Sequence, residues 1–296
     1  MPDFSCADYT FPLLSRTQSL QLLRLLDFKF VDIGLFERNT SYLPSELMSA
    51  PDDFIRGVRG DLASTQLRPA DLFLQIGAEP AQSSANDPDP NVRARNRQVF
   101  KQALELCTAI QCDHLTGLPG VDHGYAGTDL ALAVEEALWR VRVCGEAGVV
   151  YSIEPHIGSI CASVESTHRF LDRVEGLSLT LDYGHFVCAG EESSNVHSLL
   201  PFASHIHVRG GSLGRLQTSV ADNIIDFEGM VSGLHNQGYA GKLALEYVWV
   251  NWQGCNLSDN LSETILLRSR LRNIAATLNW SSGEKRRNPP ANCRQT

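Results

Sequence analysis

The sequence predicts an α/β protein, a single (β/α)₈ barrel, on the strength of two observations. Short apolar runs alternate with longer amphipathic segments along the 296 residues, which is typical of parallel strands joined by right-handed crossovers. Eight such units occur within about 280 residues, a size close to that of a typical closed barrel. The barrel domain is therefore expected to span residues 1–278, and the polar stretch 279–296 to be a disordered tail.

Each apolar run has the length of a buried strand, and each is followed by a segment with helical periodicity. The runs interpreted as strands are Phe4–Tyr9, Phe30–Gly34, Asp71–Ile76, Asp113–Thr116, Val149–Glu154, Leu177–Asp182, His205–Val208 and Leu243–Tyr247. The helical segments are Arg16–Leu26, part of Pro51–Gln66, Val92–Ile110, Asp129–Ala147, Val164–Val174, a shorter piece ending near Ala203, Asp226–Gln237 and Asp259–Leu278. Pro51 and Asp52 are start signals for the second helix, and Gly238 closes the seventh.

Composition and charge limit the classes of binding partner and the cellular compartment that the sequence predicts. The formal net charge is −9, whereas a nucleic-acid-binding protein usually carries a basic face. No run approaches the roughly 20 apolar residues of a membrane span, and the N-terminus lacks the cationic and apolar regions of a signal peptide. The eight cysteines form no C-x-x-C pair, so we expect buried, reduced thiols. These features predict a cytoplasmic protein without nucleic-acid or membrane partners.

The most informative pattern is the ionisable residue at or next to the end of each of the last four predicted strands. Glu154 and Asp182 are the last residues of their runs, and His207 and Glu246 lie one residue before the ends of theirs. In a barrel the carboxyl ends of the strands converge on one mouth, where active sites are built. Three carboxylates and an imidazole in a dry mouth would repel one another or become neutral unless a cation joined them. The pattern therefore predicts a site for one divalent metal ion, with Mn²⁺, Mg²⁺, Co²⁺ or Zn²⁺ as candidates.

Further candidates lie close to these ligands. His156 and Arg209 follow Glu154 and His207 by two residues, a spacing that returns a side chain to the same face of a strand. They are expected to bind substrate, together with His185, Gln217 and Trp249. Structural roles, namely an ion pair for Arg209 and loop packing for Trp249, are equally compatible with the sequence.

The loop after the seventh run offers a weaker signal. Gly210-Gly211-Ser212, with Arg215 nearby, lies where barrels often bind phosphate, although a glycine-rich stretch alone is not specific. No lysine ends a predicted strand at the mouth, which argues against Schiff-base chemistry.

These residues together resemble a known family, the xylose isomerase-like TIM barrels, and in particular its sugar phosphate isomerase/epimerase group. The resemblance covers most of the chain and is best from Val149 to Leu278. The motifs that carry it are Ile-Glu154-Pro-His156, Leu-Asp182-Tyr-Gly-His185, His-Ile-His207-Val-Arg209 and Leu-Ala-Leu-Glu246-Tyr. It implies that the four strand-end residues hold the metal, usually Mn²⁺, that His185 and Arg209 contact substrate oxygens, and that Glu154 and Glu246 act as acid and base.

The sequence departs from two branches of this family. Ketose 3-epimerases carry an acidic residue six positions after the first metal glutamate, where this chain has Ile160. The DNA-repair endonucleases add histidines from early strands and an aspartate after the His motif. The second and third runs here contain Asp-Ile-Gly and Gln-Ile-Gly without histidine, and Gly210 follows Arg209. The departures argue against DNA repair and leave the precise reaction open.

The sequence thus predicts an enzyme, a metal-dependent isomerase or epimerase of carbohydrate metabolism. It would move a proton next to a carbonyl, through a metal-stabilised enediolate, on a sugar, a sugar phosphate or a polyol-derived ketone. The runner-up is a dehydratase or lyase acting on a keto-inositol or a dehydroshikimate-like substrate, since it shares the first step. A phosphodiesterase resembling AP endonucleases and a non-catalytic sugar-binding barrel are less favoured. The sequence is also compatible with a homo-oligomer.

Overall fold

Eight parallel strands close into a barrel in the computed structural model, which describes residues 2–125 and 127–280. The barrel strands are β1 (Asp3–Ala7), β2 (Phe30–Phe36), β3 (Arg68–Gln75), β4 (His114–Gly117), β5 (Val150–Ile153), β6 (Ser178–Asp182), β7 (Ala203–Val208) and, after the hairpin β8 (Gly210–Ser212) and β9 (Arg215–Thr218), β10 (Lys242–Leu245). Their hydrogen-bonded order is β1-β10-β7-β6-β5-β4-β3-β2. The predicted (β/α)₈ barrel is confirmed.

Helices surround the barrel and cover the outward faces of its strands. They are α1 (Arg16–Leu25), α2 (Pro44–Ser49), α3 (Pro51–Thr65), α4 (Pro90–Ile110), α5 (Thr128–Glu146), α6 (Val164–Leu171), α7 (Tyr183–Cys188), α8 (Ser193–Val196), α9 (Phe227–Asn236) and α10 (Asn260–Thr277). Side chains that accept the first free N–H groups fix several starts. Asp89 accepts from Asn91 N at 2.8 Å before α4, and Asp226 accepts from Gly229 N at 2.8 Å before α9. Among the described residues, no helix is long and apolar enough to cross a membrane.

The main differences from the predicted elements lie in four places. The short helix α2 precedes α3, and the sixth helical piece is divided into α7, α8 and a 3₁₀ turn at His197–Phe202. The glycine-rich stretch after β7 is the antiparallel hairpin β8–β9. Strand β2 continues past Gly34, where a Cβ would overlap the Tyr9 ring. Short elements and a glycine required by packing leave almost no periodic signal.

Polar side chains fill part of the barrel interior. The hydroxyls of Thr116, Ser152 and Thr180, from β4, β5 and β6, hydrogen-bond to one another at 2.7 to 3.1 Å. On β7 the side chains of His205 and His207 both form contacts inside the barrel, as expected for residues two positions apart on a strand. Polar groups from several strands therefore lie inside the barrel beneath the mouth.

Two aspartate–histidine pairs lie in the same interior. Asp32 Oδ2 is 2.6 Å from His205 Nε2, and Asp71 Oδ1 is 2.6 Å from His114 Nδ1. His114 Nε2 lies 2.8 Å from Ser204 Oγ. Both aspartates are fully buried, and a charged group at that depth needs a partner.

Contacts with the barrel domain continue slightly beyond the predicted boundary at residue 278, past the end of α10 at Thr277. The backbone N–H of Trp280 donates to Ala275 O at 3.1 Å, and its ring lies 5.6 Å from that of His235, between centroids. The remainder of the predicted tail, 281–296, lies outside the described residues, so its disorder stays a prediction.

Candidate metal centre

The two predicted glutamate ligands lie at the mouth, one residue beyond their strands. Glu154 N–H donates to Gly117 O at 3.0 Å, and Glu246 N–H donates to Val208 O at 3.1 Å, so each backbone still belongs to the barrel wall. Both side chains are buried. The strands therefore fix the points from which the two carboxylates enter the mouth.

The four predicted metal ligands lie in two overlapping groups. The ligand atoms of Glu154, His207 and Glu246 all lie within 4.8 Å of one another, and so do those of Glu154, Asp182 and His185. His207 Nδ1 is 2.6 Å from Glu154 Oε1 and 3.4 Å from Glu246 Oε2. Glu154 is thus the residue that links the two groups into one site.

Arg209 lies between Asp182 and Glu246. Its Nε donates to Asp182 Oδ2 at 2.8 Å, its Nη2 contacts the same oxygen, and Nη2 lies 3.1 Å from Glu246 Oε2. The other oxygen of Asp182 accepts the N–H of Gly184 at 2.7 Å and so caps α7. Arg209 therefore supplies positive charge to two of the three carboxylates, which is the ion-pair role that the sequence left open.

Burial and neighbouring charges separate the pKa values of the two glutamates. Burial, with Glu246 nearby, raises the pKa of Glu154 to about 7. Burial favours the neutral form of Glu246 as well, but His207 and Arg209 outweigh it and lower the pKa of Glu246 to about 2. Against the effect of burial, Glu246 and Glu154 raise the pKa of His207 well above its usual value. The mouth is therefore rich in negative charge that positive groups must balance.

A divalent metal ion fits this set of donors. Three carboxylates and one imidazole suit Mn²⁺ and similar ions, which accept oxygen ligands together with a histidine nitrogen. Glu246 Oε2 is buried and makes no hydrogen bond with any described residue, although it lies within ion-pair distance of Arg209 and His207. Glu154, Asp182, His207 and Glu246 are the residues that would hold the ion.

A cavity of about 520 Å³ opens onto two of these carboxylates, Glu154 and Glu246. Four of the five residues predicted to bind substrate line it, namely His156, His185, Arg209 and Trp249. Trp252, which follows in the same loop, also lines the cavity, and its ring lies 6.1 Å from that of His185, between centroids. The cavity is thus polar at its floor and aromatic at this wall.

The two histidines at the floor are held by backbone groups. His185 Nδ1 accepts the N–H of Ile157 at 3.4 Å, and burial together with Arg209 lowers the pKa of His185 well below its usual value. Burial lowers the pKa of His156 to about 4, and its Nε2 has no hydrogen-bond partner among the described residues. Both imidazoles are therefore neutral near pH 7 and can hydrogen-bond to a ligand.

The structure does not bring Gln217 into the cavity. Its side chain donates to Val248 O at 3.0 Å and Cys255 O at 2.6 Å, and accepts from Val248 N at 2.8 Å. Gln217 thus anchors the tryptophan-containing loop. The predicted phosphate-binding stretch is also occupied by internal contacts, since Gly210 N–H donates to Tyr247 Oη at 2.9 Å and Gly211 N–H donates to Asn223 Oδ1 at 3.1 Å.

Sequence reasoning missed the residues that early strands contribute. The Tyr9 hydroxyl donates to Glu246 Oε1 at 2.8 Å, and the Phe36 ring packs edge-to-face on both Tyr9 and Phe73. All three rings line the cavity. Tyr9 ends the first apolar run, as the ligands end theirs, but an aromatic residue at that position is usual in a core and gives no separate signal.

The family comparison matches the larger part of the chain. A family model described as the xylose isomerase-like TIM barrel covers residues 23–271, which include all four predicted ligands. No curated protein sequence matches this chain.

Solved structures with the same fold are distant in sequence. An L-ribulose 3-epimerase is similar with a TM-score of 0.73 and 15% identity, over 98% of this chain and 100% of that one. The probable 3-DHS dehydratase AsbF of Bacillus anthracis gives 0.67 and 13%, over 90% and 99%. An AP endonuclease of family 2 from Brucella melitensis gives 0.67 and 16%, over 91% and 99%. At these identities the similarity shows the fold alone, and the three proteins have different named activities.

Proposed function

We propose that this chain, which belongs to the xylose isomerase-like TIM barrel family, is a metal-dependent enzyme that transfers a proton next to a carbonyl of a sugar-like substrate. Epimerisation or isomerisation is the outcome that we favour. The metal is proposed to be Mn²⁺, with Mg²⁺, Co²⁺ and Zn²⁺ as alternatives. The cytoplasmic location and a homo-oligomer stay predictions.

The observation that carries this proposal is the pair of glutamates in the cavity. Glu154 follows β5 and Glu246 follows β10, and β6 and β7 lie between these strands in the barrel. The two carboxylates can therefore reach a substrate from different directions, one to remove a proton and the other to return it. His207 lies between them, in contact with Glu154.

The other residues of the mouth support proton transfer by position and charge. When bound, the metal ion would supply a Lewis acid for the carbonyl beside the reacting carbon. Arg209 holds Asp182 and Glu246 in place, and the Tyr9 hydroxyl fixes one oxygen of Glu246. His156 and His185 offer neutral imidazole groups to substrate hydroxyls.

The charges around the cavity favour a substrate without a phosphate group. Among the described residues, Arg38 and Arg209 are the only arginines or lysines that line it. Arg209 is engaged with Asp182 and Glu246, and Arg38 pairs with Glu79 at 3.3 Å on the exposed rim. A phosphate would find neither a free buried cation nor the backbone N–H groups of Gly210 and Gly211. We therefore propose an uncharged sugar, or a ketone derived from a polyol, in preference to a sugar phosphate.

The test is exchange of substrate protons with solvent. The Mn²⁺-loaded protein is incubated in D₂O with ketoses, keto-inositols and dehydroshikimate, and deuterium is measured by mass spectrometry. We expect incorporation at the carbon next to the carbonyl of one class, and a loss of rate of about 100-fold or more in Glu154→Gln and Glu246→Gln. Glu165→Gln, an exposed carboxylate on α6, is the matched control.

The products identify the reaction. An epimer or isomer with one deuterium supports the favoured outcome, whereas loss of a hydroxyl identifies a dehydratase with the same first step. Exchange that persists in both glutamine variants would overturn the acid–base roles. Hydrolysis of a phosphodiester without any exchange would replace the proposal with nuclease-like chemistry.

A further inference from the structure

His207 has a second buried carboxylate, that of Asp32, next to the ring nitrogen that faces away from the two glutamates. His207 Nδ1 faces Glu154 and Glu246, while Nε2 lies 3.6 Å from Asp32 Oδ2 on β2. Nε2 is buried and makes no hydrogen bond with any described residue. The imidazole therefore has one nitrogen directed at the metal centre and the other directed into the barrel interior.

Asp32 lies between two histidines of the same strand. Its Oδ2 is 2.6 Å from His205 Nε2, and its Oδ1 is buried without a hydrogen-bond partner among the described residues. His205 and His207 are two residues apart on β7, so both imidazoles lie on one face of the strand. The pair with His205 fixes the Asp32 carboxylate beneath the metal centre, with capacity for another donor.

We propose that Asp32 is a positioning residue that accepts a hydrogen bond from His207 Nε2 and so directs His207 Nδ1 to the metal ion. The inference rests on the metal site of the proposed function, and not on the reaction that the site performs.

The chemistry of imidazole supports this arrangement. A neutral histidine that binds a metal through one nitrogen carries its proton on the other, and that N–H is usually donated to a carboxylate, a carbonyl or water. Among the described residues, the carboxylate within ion-pair distance of His207 Nε2 is that of Asp32. A small tilt of the ring closes the 3.6 Å separation to a hydrogen bond. This second interaction fixes both the tautomer and the ring orientation.

Asp71 gives a matched control within the same interior. Its carboxylate is as deeply buried as that of Asp32, and it also pairs with a histidine, His114, at 2.6 Å. Its hydrogen-bond partner does not belong to the metal centre. Replacement of either aspartate by asparagine removes a buried negative charge while keeping the shape of the side chain, so the two variants separate a general effect on the interior from an effect on His207.

The first measurement is the affinity for Mn²⁺, obtained by calorimetric titration of the metal-free full-length protein. We expect Asp32→Asn to raise the Kd about 10- to 100-fold, with Asp71→Asn close to the wild type. Equal affinities for Asp32→Asn and the wild type would overturn the inference, as would equal losses in both variants. Asp32, Asp71, His205 and His207 also have ligand atoms within 4.8 Å of one another. Two ions per chain in the wild type, with one lost in each variant, would assign this group to a second metal ion and overturn the inference. Absence of Mn²⁺ binding by the wild type would overturn the metal site itself.

The second measurement needs no substitution at Asp32. In the protein loaded with diamagnetic Mg²⁺ or Zn²⁺ and labelled with ¹⁵N-histidine, we expect a downfield, slowly exchanging proton on His207 Nε2. The signal is assigned by its loss in His207→Gln and its persistence in His205→Gln. A rapidly exchanging Nε2 proton, or a metal bound through Nε2, would contradict the proposed role of Asp32.

Discussion

Buried carboxylates in this protein have very different surroundings, and their pKa values follow those surroundings. Glu246 is next to Arg209 and His207 and accepts a hydrogen bond from Tyr9, so its charged form is favoured. Asp8 begins a 3₁₀ turn that follows β1 (Asp8–Thr10). Its side chain accepts the N–H of Gly34 at 2.9 Å and forms no ion pair among the described residues. Burial raises the pKa of Asp8 to about 7, with Asp32 adding to this effect.

Asp8 is therefore expected to make stability depend on pH. The unfolded chain has a pKa near 3.9 at this residue, so the folded protein binds an extra proton between about pH 4 and pH 7. The free energy of unfolding contributed by Asp8 consequently falls as the pH rises through this window. Asp8→Asn stays neutral and can still accept from Gly34. Its stability relative to the wild type should rise by up to about 4 kcal/mol from pH 4 to pH 8.

Urea unfolding of the metal-free protein at several pH values measures this difference. Asp3→Asn, an exposed position at the start of β1, is the control and should shift stability by the same small amount throughout. A constant difference between Asp8→Asn and the wild type across the range would show that Asp8 is ionised in the folded protein at low pH.

The loop that contains Trp249 and Trp252 forms one wall of the cavity, and β9 of the hairpin contacts this loop from behind. Gln217 on β9 makes hydrogen bonds to backbone groups at both ends of the loop, at Val248 and Cys255. Both tryptophans are close to half exposed, whereas Val248 and Val250 pack against a buried cluster that includes Leu216 of β9 and Cys255. The hairpin therefore positions the loop from which the tryptophans reach the cavity.

Gln217→Ala should loosen this wall without affecting the metal ligands. Backbone groups of Val248 and Cys255 would lose their partners, at a cost of about 1–3 kcal/mol for each group that stays buried. We expect faster amide hydrogen exchange across 248–257, a KM raised several-fold and an unchanged affinity for Mn²⁺.

The control for this prediction is Gln98→Ala, an exposed glutamine on α4. Hydrogen exchange followed by mass spectrometry localises the effect. Slow exchange across 248–257 in Gln217→Ala, equal to the wild type, would mean that other contacts hold the loop.

The closed barrel accounts for which site residues could be predicted from the sequence and which could not. Glu154, Asp182, His207 and Glu246 were predictable because each closes an apolar run, and a closed barrel brings strand ends together. Tyr9, Asp32 and Asp71 were not predicted as part of the interior network. Their partners lie 43 to 237 residues away along the chain, so the pairings form only when the strands assemble. The hairpin β8–β9 was missed because its strands span three and four residues.

The central claim is that these four strand ends bind one divalent ion, and the amount of bound metal tests it most directly. The protein is loaded with Mn²⁺, freed of excess ion and analysed for metal per chain, with folding checked by circular dichroism. We predict one ion per wild-type chain, none in Asp182→Asn/His207→Gln, and one in the matched double variant His168→Gln/Asp172→Asn on and beside α6. A wild-type chain without metal, or full occupancy in Asp182→Asn/His207→Gln, would contradict the account.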